Sequence, residues 1–583
     1  MPCPLVAALL AVEGAGDGSV VECIDSPVLN VPDAILHARP AVHTLSIRGA
    51  GLADLGCVYL LTDHLQHLDV RNNRLRGLHF TFPMAALRTL RIDDNAVASF
   101  TGVDCIRGLE TLTADGNQLG LTDTGGTPAQ PEPLSFAPLS DSLVSLSLRR
   151  NGLEFIPRGC ETMTRLSSLS VSRNDIENLS LTRPDHAAPA RPKLLARLKV
   201  NDDGFSALQS LRSLDFQHNK VDSFPAGLYL LPCLEILTGS HNRLTNLDFF
   251  LLRDMQGLTQ LRLNNNRMTE LPDSCSNLLN LAYVDVSHNQ LTELCENLTQ
   301  LQGLSTLHCH HNKIEKLEKN FGRLTALTDL SIHHNKLTRV ADLSPIGAPG
   351  GSGEGVEDLD FSHNDIPSLP EYVADLCGVV SLNFERNALM ALPREVVASP
   401  RLGATLQMLL LSHNNLSSIP EEIGNLAQLN MLLLSNNCIR ELPRTIFTQL
   451  ASLETLWVDN NKLCELPKEI GELKKLKSFW CHANELSELP ENVCLLTAVE
   501  EISCGSNQIE RLPSSLDNLV SMRRLMVDEN RIKVLPNLLA ALLKFSLESL
   551  TFEGCPLEDP PLSVRVQGYE AVMSYLDHQY KSN

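Results

Sequence analysis

The sequence predicts an α/β fold: a horseshoe-shaped solenoid with a parallel sheet on the concave face and short helical, 3-10 or extended segments on the convex face. One observation is a recurring pattern, L-x-x-L-x-L-x-x-N-x-L with any apolar residue at L, as in 429–439, 453–463 and 476–486. Another is its Asn, which recurs 19 times between Asn73 and Asn530, mostly at a nearly constant interval. A third is the length of 583 residues, which exceeds what one compact core accommodates.

Each part of the repeat has a physical reason. The x-L-x-L-x core predicts a short strand whose side chains alternate between interior and surface. A single repeat cannot bury its apolar edge, so neighbouring copies stack into a parallel sheet. The Asn is expected to satisfy backbone amides at the turn that follows the strand. A second signature, apolar-Pro-x-x-apolar, as in 419–426 and 466–473, predicts a turn of helix on the convex face. These are leucine-rich repeats.

The repeats define the expected domains. Residues 1–20 form an N-terminal segment, 21–557 form an array of about 22–23 repeats, and 558–583 form a capping helix and tail. Four repeats are degenerate, around Ser26, Ala50, Asp203 and Cys555. Loop inserts are predicted at 122–141 and 344–355, and an irregular break near 182–205, because these stretches are rich in Pro, Gly or Ser. The apolar residues expected to cover the last strand are Val564, Val566, Tyr569, Val572, Tyr575 and Leu576.

Composition excludes several function classes. Lys and Arg number 48 against 69 Asp and Glu, which gives a net charge of −21. Such a surface repels phosphate backbones and anionic membranes, so no nucleic-acid partner is expected. No apolar stretch approaches the ~18 residues of a membrane-spanning helix, so no membrane insertion is expected. The 16 Cys are scattered among apolar positions, which is typical of reduced thiols in a cytoplasmic protein.

The repeating unit LPxxIxxLxxLxxLxLxxNxL resembles the intracellular, Ras-group family of leucine-rich repeat proteins. The closing segment PLEDPPLSVRVQGYEAVMSYL (556–576) is also similar to that group. The repeats cover about nine-tenths of the chain. The resemblance implies a non-enzymatic cytoplasmic interaction protein, and it assigns no binding residue.

A candidate partner-binding surface follows from the outward strand positions. Both Trp of the chain fall at the same repeat position on consecutive strands, and apolar residues continue the row on either side. A contiguous exposed apolar patch with Trp is typical of a protein interface. Acidic residues flank it and suit a basic partner. The alternative is that these side chains pack on one another and only stabilise the sheet. The predicted patch comprises Trp457, Trp480, Leu410, Leu433, Met408, Met431 and Met526, with Asp459, Asp528, Glu529 and Glu501 as an acidic rim.

Histidines form a second pattern. The residue before the repeat Asn is His at 218, 241, 288, 311, 334, 363 and 413, which indicates a ladder of solvated imidazoles. His308, His310 and His333 are expected on the concave face, where they are a weak candidate for zinc. Zinc needs three or four ligands, and the sequence does not show such a set, so no metal and no cofactor is predicted. Cys309 is expected in the core.

The leading function hypothesis is a non-catalytic scaffold or adaptor that binds a protein through its concave face, in intracellular signalling and as a monomer. The alternative within binding proteins is a regulatory subunit of a phosphatase or ubiquitin-ligase complex. An enzyme of unrecognised type is the remote alternative, because an enzyme needs converging acid, base or nucleophile. No catalytic motif is present, and because the sequence after Leu557 is short we expect no appended catalytic domain.

Overall fold

A computed structural model of the chain describes residues 20–24, 42–55, 64–120, 134–181, 204–245, 255–346, 356–537, 539, 542 and 546–582. It has the predicted leucine-rich repeat solenoid fold, with short parallel strands that alternate with 3-10 turns and short helices. The residues group into two compact units, Met1–Leu291 and Thr292–Asn583. Most of the N-terminal segment, of the two inserts and of the 182–205 stretch lies outside the described residues.

In the first unit, all strands except β4 and β6 form one parallel sheet, and β4 pairs with β6. Most strands have three residues, with a buried middle side chain and more exposed flanking ones. The strands are β1 Val20–Ile24, β2 Thr44–Arg48, β3 His67–Asp69, β4 Gly77–His79, β5 Thr89–Arg91, β6 Ser99–Thr101, β7 Thr111–Thr113, β8 Ser145–Ser147, β9 Ser168–Ser170, β10 Ser213–Asp215, β11 Ile236–Thr238, β12 Gln260–Arg262 and β13 Tyr283–Asp285.

In the second unit, consecutive strands pair in parallel and in register from β14 to β24. The strands are β14 Thr306–His308, β15 Asp329–Ser331, β16 Asp358–Asp360, β17 Ser381–Asn383, β18 Met408–Leu410, β19 Met431–Leu433, β20 Thr455–Trp457, β21 Ser478–Trp480, β22 Glu501–Ser503, β23 Arg524–Met526 and β24 Ser549–Thr551.

The irregular intervals of the sequence do not interrupt strand pairing. Strands β7 and β8, which flank the insert 122–141, pair directly, and so do β15 and β16 around the insert 344–355. Strands β9 and β10 also pair directly, with Ser168 opposite Ser213. No strand lies between β9 and β10, and Asp203, the centre of a predicted degenerate repeat, lies outside the described residues.

Short helices follow the strands, and several begin directly after the predicted Pro. Pro420, for example, holds φ −70° ahead of the turn at Glu421–Asn425. The α-helices are α1 Arg394–Val397, α2 Pro400–Thr405, α3 Arg444–Gln449, α4 Leu562–Arg565 and α5 Tyr569–Ser582. The 3-10 turns are Val103–Ile106, Ala137–Leu139, Cys160–Thr162, Phe205–Ala207, Ala226–Leu230, Asp273–Asn277, Glu296–Gln300, Phe321–Arg323, Glu371–Asp375, Glu421–Asn425, Lys468–Glu472, Glu491–Leu495 and Leu516–Asn518.

The repeat Asn forms a ladder inside the stack, as Asn437 illustrates. Its Oδ1 accepts a hydrogen bond from the backbone N–H of Leu416, in the preceding repeat, at 3.0 Å. Its Nδ2 donates to the carbonyls of Leu411 and Leu434, each at 3.0 Å, and to that of Ser435 at 3.2 Å. The predicted satisfaction of turn amides is confirmed, and the side chain also joins adjacent repeats.

The C-terminal segment differs from the predicted single helix. The helix is divided into α4 and α5, and Gly568 between them has φ +92°, a left-handed conformation that suits glycine. Val566 is 74% exposed, so it does not cover the last strand as predicted. The buried residues of α5 are Val572, Met573 and Leu576.

Candidate functional site

Strands β18 to β23 bring the apolar residues of the predicted partner-binding surface into two adjacent rows on one face of the sheet. The open face is defined here as the sheet face opposite the buried leucines. Along it Trp457 pairs with Trp480, and Leu433 pairs with Trp457. The complete central row is Leu410, Leu433, Trp457, Trp480, Ser503 and Met526, and the row two residues earlier begins with Met408, Met431, Thr455 and Ser478.

The two indole rings stack on the open face. Their centroids lie 4.2 Å apart and their planes differ by 9°. The indole N–H of Trp457 donates to Ser478 Oγ at 3.1 Å. The strand neighbour Phe479 points the other way and is fully buried. The alternation predicted from the repeat register therefore places both indoles on the same face, half-buried and in contact with each other.

The indole N–H of Trp480 is buried and has no hydrogen-bond acceptor among the described residues. The nearest aromatic neighbour beyond Trp457 is His482, with ring centroids 6.2 Å apart. A buried N–H without an acceptor costs stability in the free protein.

The apolar residues around the indoles are not equally accessible. Met408, Met431, Leu410 and Met526 are half-buried, while Leu433 is only 9% exposed. Neighbouring side chains cover most of Leu433, so it contributes to cross-strand packing more than to an accessible surface. The open face combines both of the predicted roles: its side chains support each other, and part of their apolar surface remains in water.

Asp459 does not have the rim position predicted for it. It is 6% exposed, and its carboxylate accepts a hydrogen bond from Ser435 Oγ at 2.5 Å. The His482 ring nitrogen Nε2 lies 3.7 Å from the same carboxylate. Asp459 therefore stabilises the sheet through this polar network. Because its carboxylate is buried and hydrogen-bonded, it is not available to a partner.

The remaining acidic residues lie nearer the surface. Asp528 is half-buried and accepts from the Thr551 hydroxyl and, at 2.8 Å, from the Glu553 backbone N–H. Glu529 is exposed and accepts from Ser506 Oγ at 2.6 Å. Glu501, which is half-buried, faces Arg524 at 3.6 Å, so its charge is partly neutralised within the chain. The acidic rim is thus narrower than predicted and centred on β23.

The histidines of the second unit group differently from the prediction. His308 Nε2 lies 2.9 Å from a carboxylate oxygen of Asp329, and His310 stacks on His333 with centroids 4.4 Å apart. Cys309 is fully buried, as predicted. Within this unit, the three residues whose ligand atoms all lie within 4.8 Å of one another are His311, His333 and His334. We call these three residues the histidine cluster.

His311 and His334 belong to the predicted ladder of solvated imidazoles. The ladder position has φ near +53° at both residues, because the backbone turns sharply after each strand. This turn stacks His334 on His311 at 4.0 Å and on His363 at 3.7 Å. Burial, followed by the charges of His363 and His311, lowers the pKa of His334 to about 4. The sequence feature that indicates this contact is the His-His pair at 310–311, which recurs one repeat later at 333–334.

A second stacked pair in the first unit leads to a pH prediction. His218 and His241 stack with centroids 4.0 Å apart and planes differing by 9°. Burial, and then the charges of His241 and Arg173, lower the pKa of His218, while Asp215 opposes the shift. The folded state therefore disfavours protonated His218. Its contribution to stability is complete above the ordinary His pKa and is lost as pH falls below about 6.5 toward the lowered value.

Replacing His218 by Asn removes this contribution, and the backbone tolerates the change because Asn265 has φ +57° at the same repeat position. We expect the fall in Tm between pH 7.5 and 5.0 to be smaller in His218→Asn than in the wild type by about 1–2 °C, and the difference is small because a partly exposed group is screened. Thermal denaturation followed by circular dichroism measures it. His413→Asn, an exposed residue at the same repeat position, is the control. If Tm depends on pH equally in His218→Asn and in the wild type, the lowered pKa of His218 does not contribute to stability as proposed.

The stacked parallel strands, the Asn ladder and the open face define a leucine-rich repeat solenoid, an architecture whose stacked repeats create an extended surface for binding. A family model described as a leucine-rich repeat region matches residues 402–484, which include both Trp residues. Among the described residues, no helix has the length and apolar character that crossing a membrane requires.

Curated relatives match part of the chain. Podocan-like protein 1 of Homo sapiens is 29% identical over 255 residues, which are 41% of this chain and 46% of that protein. Podocan of Mus musculus is 27% identical over 234 residues, which are 38% of this chain and 36% of that protein. The chain thus spans less than half the length of these two relatives.

Solved structures with the same fold cover most of the chain. A TDR receptor has a TM-score of 0.64 at 21% identity and covers 88% of this chain and 85% of its own. The plant peptide hormone receptor RGFR1, in complex with RGF2, has a TM-score of 0.62 at 20% identity, with 92% and 86% covered. YopM from Yersinia enterocolitica WA-314 has a TM-score of 0.60 at 21% identity, with 89% and 91% covered. These likenesses show the fold.

Proposed function

We propose that the chain is a non-catalytic scaffold that binds a protein partner through the open face of β18 to β23. The observation that carries this proposal is the stacked pair Trp457 and Trp480, which keeps part of its surface in water although the fold needs only the opposite face of each strand buried. Trp is the residue type most enriched at binding hot spots. The unbranched side chains of Met408, Met431 and Met526 adapt to the shape of a partner around such an anchor.

The partner that fits this surface is a protein segment with an apolar or aromatic side chain next to Lys or Arg. The exposed parts of the two indole rings offer stacking and cation–π contacts. Asp528 and Glu529 lie at the β23 side of the row, and the net charge of −21 favours approach of a basic segment. Among the fold neighbours, the plant peptide hormone receptor RGFR1 was solved in complex with RGF2.

The protein group, the cellular location and the pathway of the scaffold are part of this proposal. The repeat type and the closing segment 556–576 support an intracellular protein of the Ras group, most similar to leucine-rich repeat-containing protein 40. On this basis we propose a monomeric cytoplasmic adaptor in signalling, with a regulatory subunit of a phosphatase or ubiquitin-ligase complex as the second candidate. The scattered cysteines support a reducing compartment; Cys481 and Cys504, for example, are fully buried thiols whose pKa burial raises.

The test is quantitative affinity capture with the full chain and the double variant Trp457→Ala/Trp480→Ala. A hot-spot Trp contributes about 2 kcal/mol or more to binding, so we expect the affinity of the double variant for its specific partners to fall by at least about 30-fold. The recovered partner is then measured by titration against purified wild type and variant.

The matched control is Met390→Ala/Leu495→Ala, which removes two exposed apolar side chains of the same unit outside the row. This control should recover the same partners as the wild type. Recovery of identical partners by the Trp variant, at equal affinity and with an unchanged circular dichroism spectrum, would contradict the proposed surface.

A further inference from the structure

The histidine cluster, His311, His333 and His334, lies on the β14 and β15 repeats, several strands before the Trp pair in the second unit. We propose that it is a binding site for a divalent transition metal with borderline character, zinc above all, in which the three imidazoles supply the protein ligands. This inference is independent of the proposed partner-binding function.

The geometry brings the three rings to one point. One ring nitrogen from each of the three residues lies within 4.8 Å of the other two. The Nδ1 atoms of His333 and His334 are 2.8 Å apart, and the His311 ring stacks on that of His334 at 4.0 Å. Tetrahedral ligation with Zn–N bonds of about 2.0–2.1 Å requires nitrogens roughly 3.3 Å apart. The Nδ1 atoms of His333 and His334 lie closer together than that, so zinc binding requires the side-chain torsions of the cluster to change.

The backbone holds the cluster in place. His311 and His334 occupy the same left-handed position in consecutive repeats, with φ +53° at each, and the backbone N–H of His311 donates to the carbonyl of His333 at 3.1 Å. His333 comes two residues after the end of β15. All three side chains are half-buried, which limits the rotamer freedom that binding would otherwise have to restrict.

A fourth imidazole adjoins the histidine cluster. His363 stacks on His334 at 3.7 Å and extends the column of rings by one repeat. A metal-bound histidine usually directs its other ring nitrogen to a carboxylate or carbonyl, which fixes the ring and raises its basicity.

The donor set selects the kind of ion. Three imidazole nitrogens suit Zn²⁺, Cu²⁺ and Ni²⁺, whereas Mg²⁺ and Ca²⁺ prefer oxygen ligands. Three histidines leave a fourth position for water or a partner side chain. The first unit provides the contrast: His218 and His241 stack just as closely, but they belong to no three-ligand group among the described residues.

The experiment is isothermal titration calorimetry of the full metal-free chain with ZnCl₂ at pH 7.5. The variants are His333→Ser and His334→Asn, because Ser435 and Asn436 stand at the corresponding positions of another repeat. We expect one saturable site in the wild type with a Kd on the order of micromolar or tighter, and at least about a tenfold weaker Kd in each variant. Zinc should also raise the wild-type Tm, through preferential binding to the folded state.

The matched control is His241→Asn, which removes one ring of the stacked pair in the first unit. Its zinc affinity should equal that of the wild type. The proposal is overturned if the wild type shows no saturable zinc binding below about 100 µM, which is about a hundredfold weaker than the expected micromolar Kd. It is equally overturned if the two cluster variants, folded by circular dichroism, bind zinc as the wild type does, or if His241→Asn loses affinity to the same extent as they do.

Discussion

Replacing Asn414 by Ala is expected to destabilise the second unit by roughly 3 kcal/mol, because it leaves several buried backbone groups without partners. Asn414 is 5% exposed. Its Oδ1 accepts from the backbone N–H of Leu389 at 3.0 Å, and its Nδ2 donates to the carbonyls of Phe384 at 2.8 Å and Leu411 at 3.0 Å. Alanine can replace none of these bonds, and the site is too enclosed for water to replace all of them.

The measurement is urea denaturation, combined with hydrogen exchange of peptides from β17 to β19, because a long repeat array need not unfold in one step. Asn415→Ala is the matched control: it is the adjacent residue, its side chain is exposed, and its backbone N–H keeps its bond to the Leu389 carbonyl. We expect a change below about 0.5 kcal/mol for the control. Equal effects of the two substitutions would contradict the structural role of the buried Asn.

Phe479→Ala is expected to cost about 3–5 kcal/mol, whereas Trp480→Ala costs about 1.5 kcal/mol or less. The two aromatic residues are consecutive on β21 and point to opposite faces. Phe479 is fully buried between the strand positions of Leu456 and Ile502, so its removal leaves a cavity. Trp480 is half-buried, and its removal mainly ends the stack on Trp457.

Urea denaturation at a fixed temperature compares the two variants, and tryptophan fluorescence of Phe479→Ala shows whether the stacked indoles remain in place. The ordering of the effects is the decisive result. A larger loss of stability in Trp480→Ala than in Phe479→Ala would mean that the register is displaced by one residue and that the indoles lie in the core. If Trp480→Ala destabilises the protein less than Phe479→Ala does, a loss of partner binding in the Trp variant can be attributed to the missing surface side chain and not to unfolding.

The repeat made most of the fold predictable. The nearly constant spacing of the Asn, with leucines at fixed offsets from it, specifies which residues of each strand are buried, and Phe479 and Cys309 lie in the core as that register requires. Side-chain alternation in a strand has a period of two, so the same register places Trp457 and Trp480 together on the open face. These inferences need only local pattern and parallel stacking.

Contacts between side chains of neighbouring repeats were less predictable. Asp459 carries the charge expected of a rim residue, but Ser435 of the preceding repeat bonds its carboxylate and holds it inside. Val566 fits the apolar pattern of a continuous helix, but the left-handed Gly568 ends that helix and leaves Val566 in water. In both cases the outcome depends on a neighbour whose position the pattern does not encode.

The amino-acid sequence by itself determined the solenoid, its register and the face on which each strand residue lies, because the repeat period is a property of the chain alone. Only the tertiary structure decided which half-exposed side chains remain accessible and which histidines meet. The left-handed turn after each strand stacks His334 on His311, whereas His308 turns toward Asp329. Those contacts depend on rotamers and on the distance between adjacent repeats, which are set when the repeats pack.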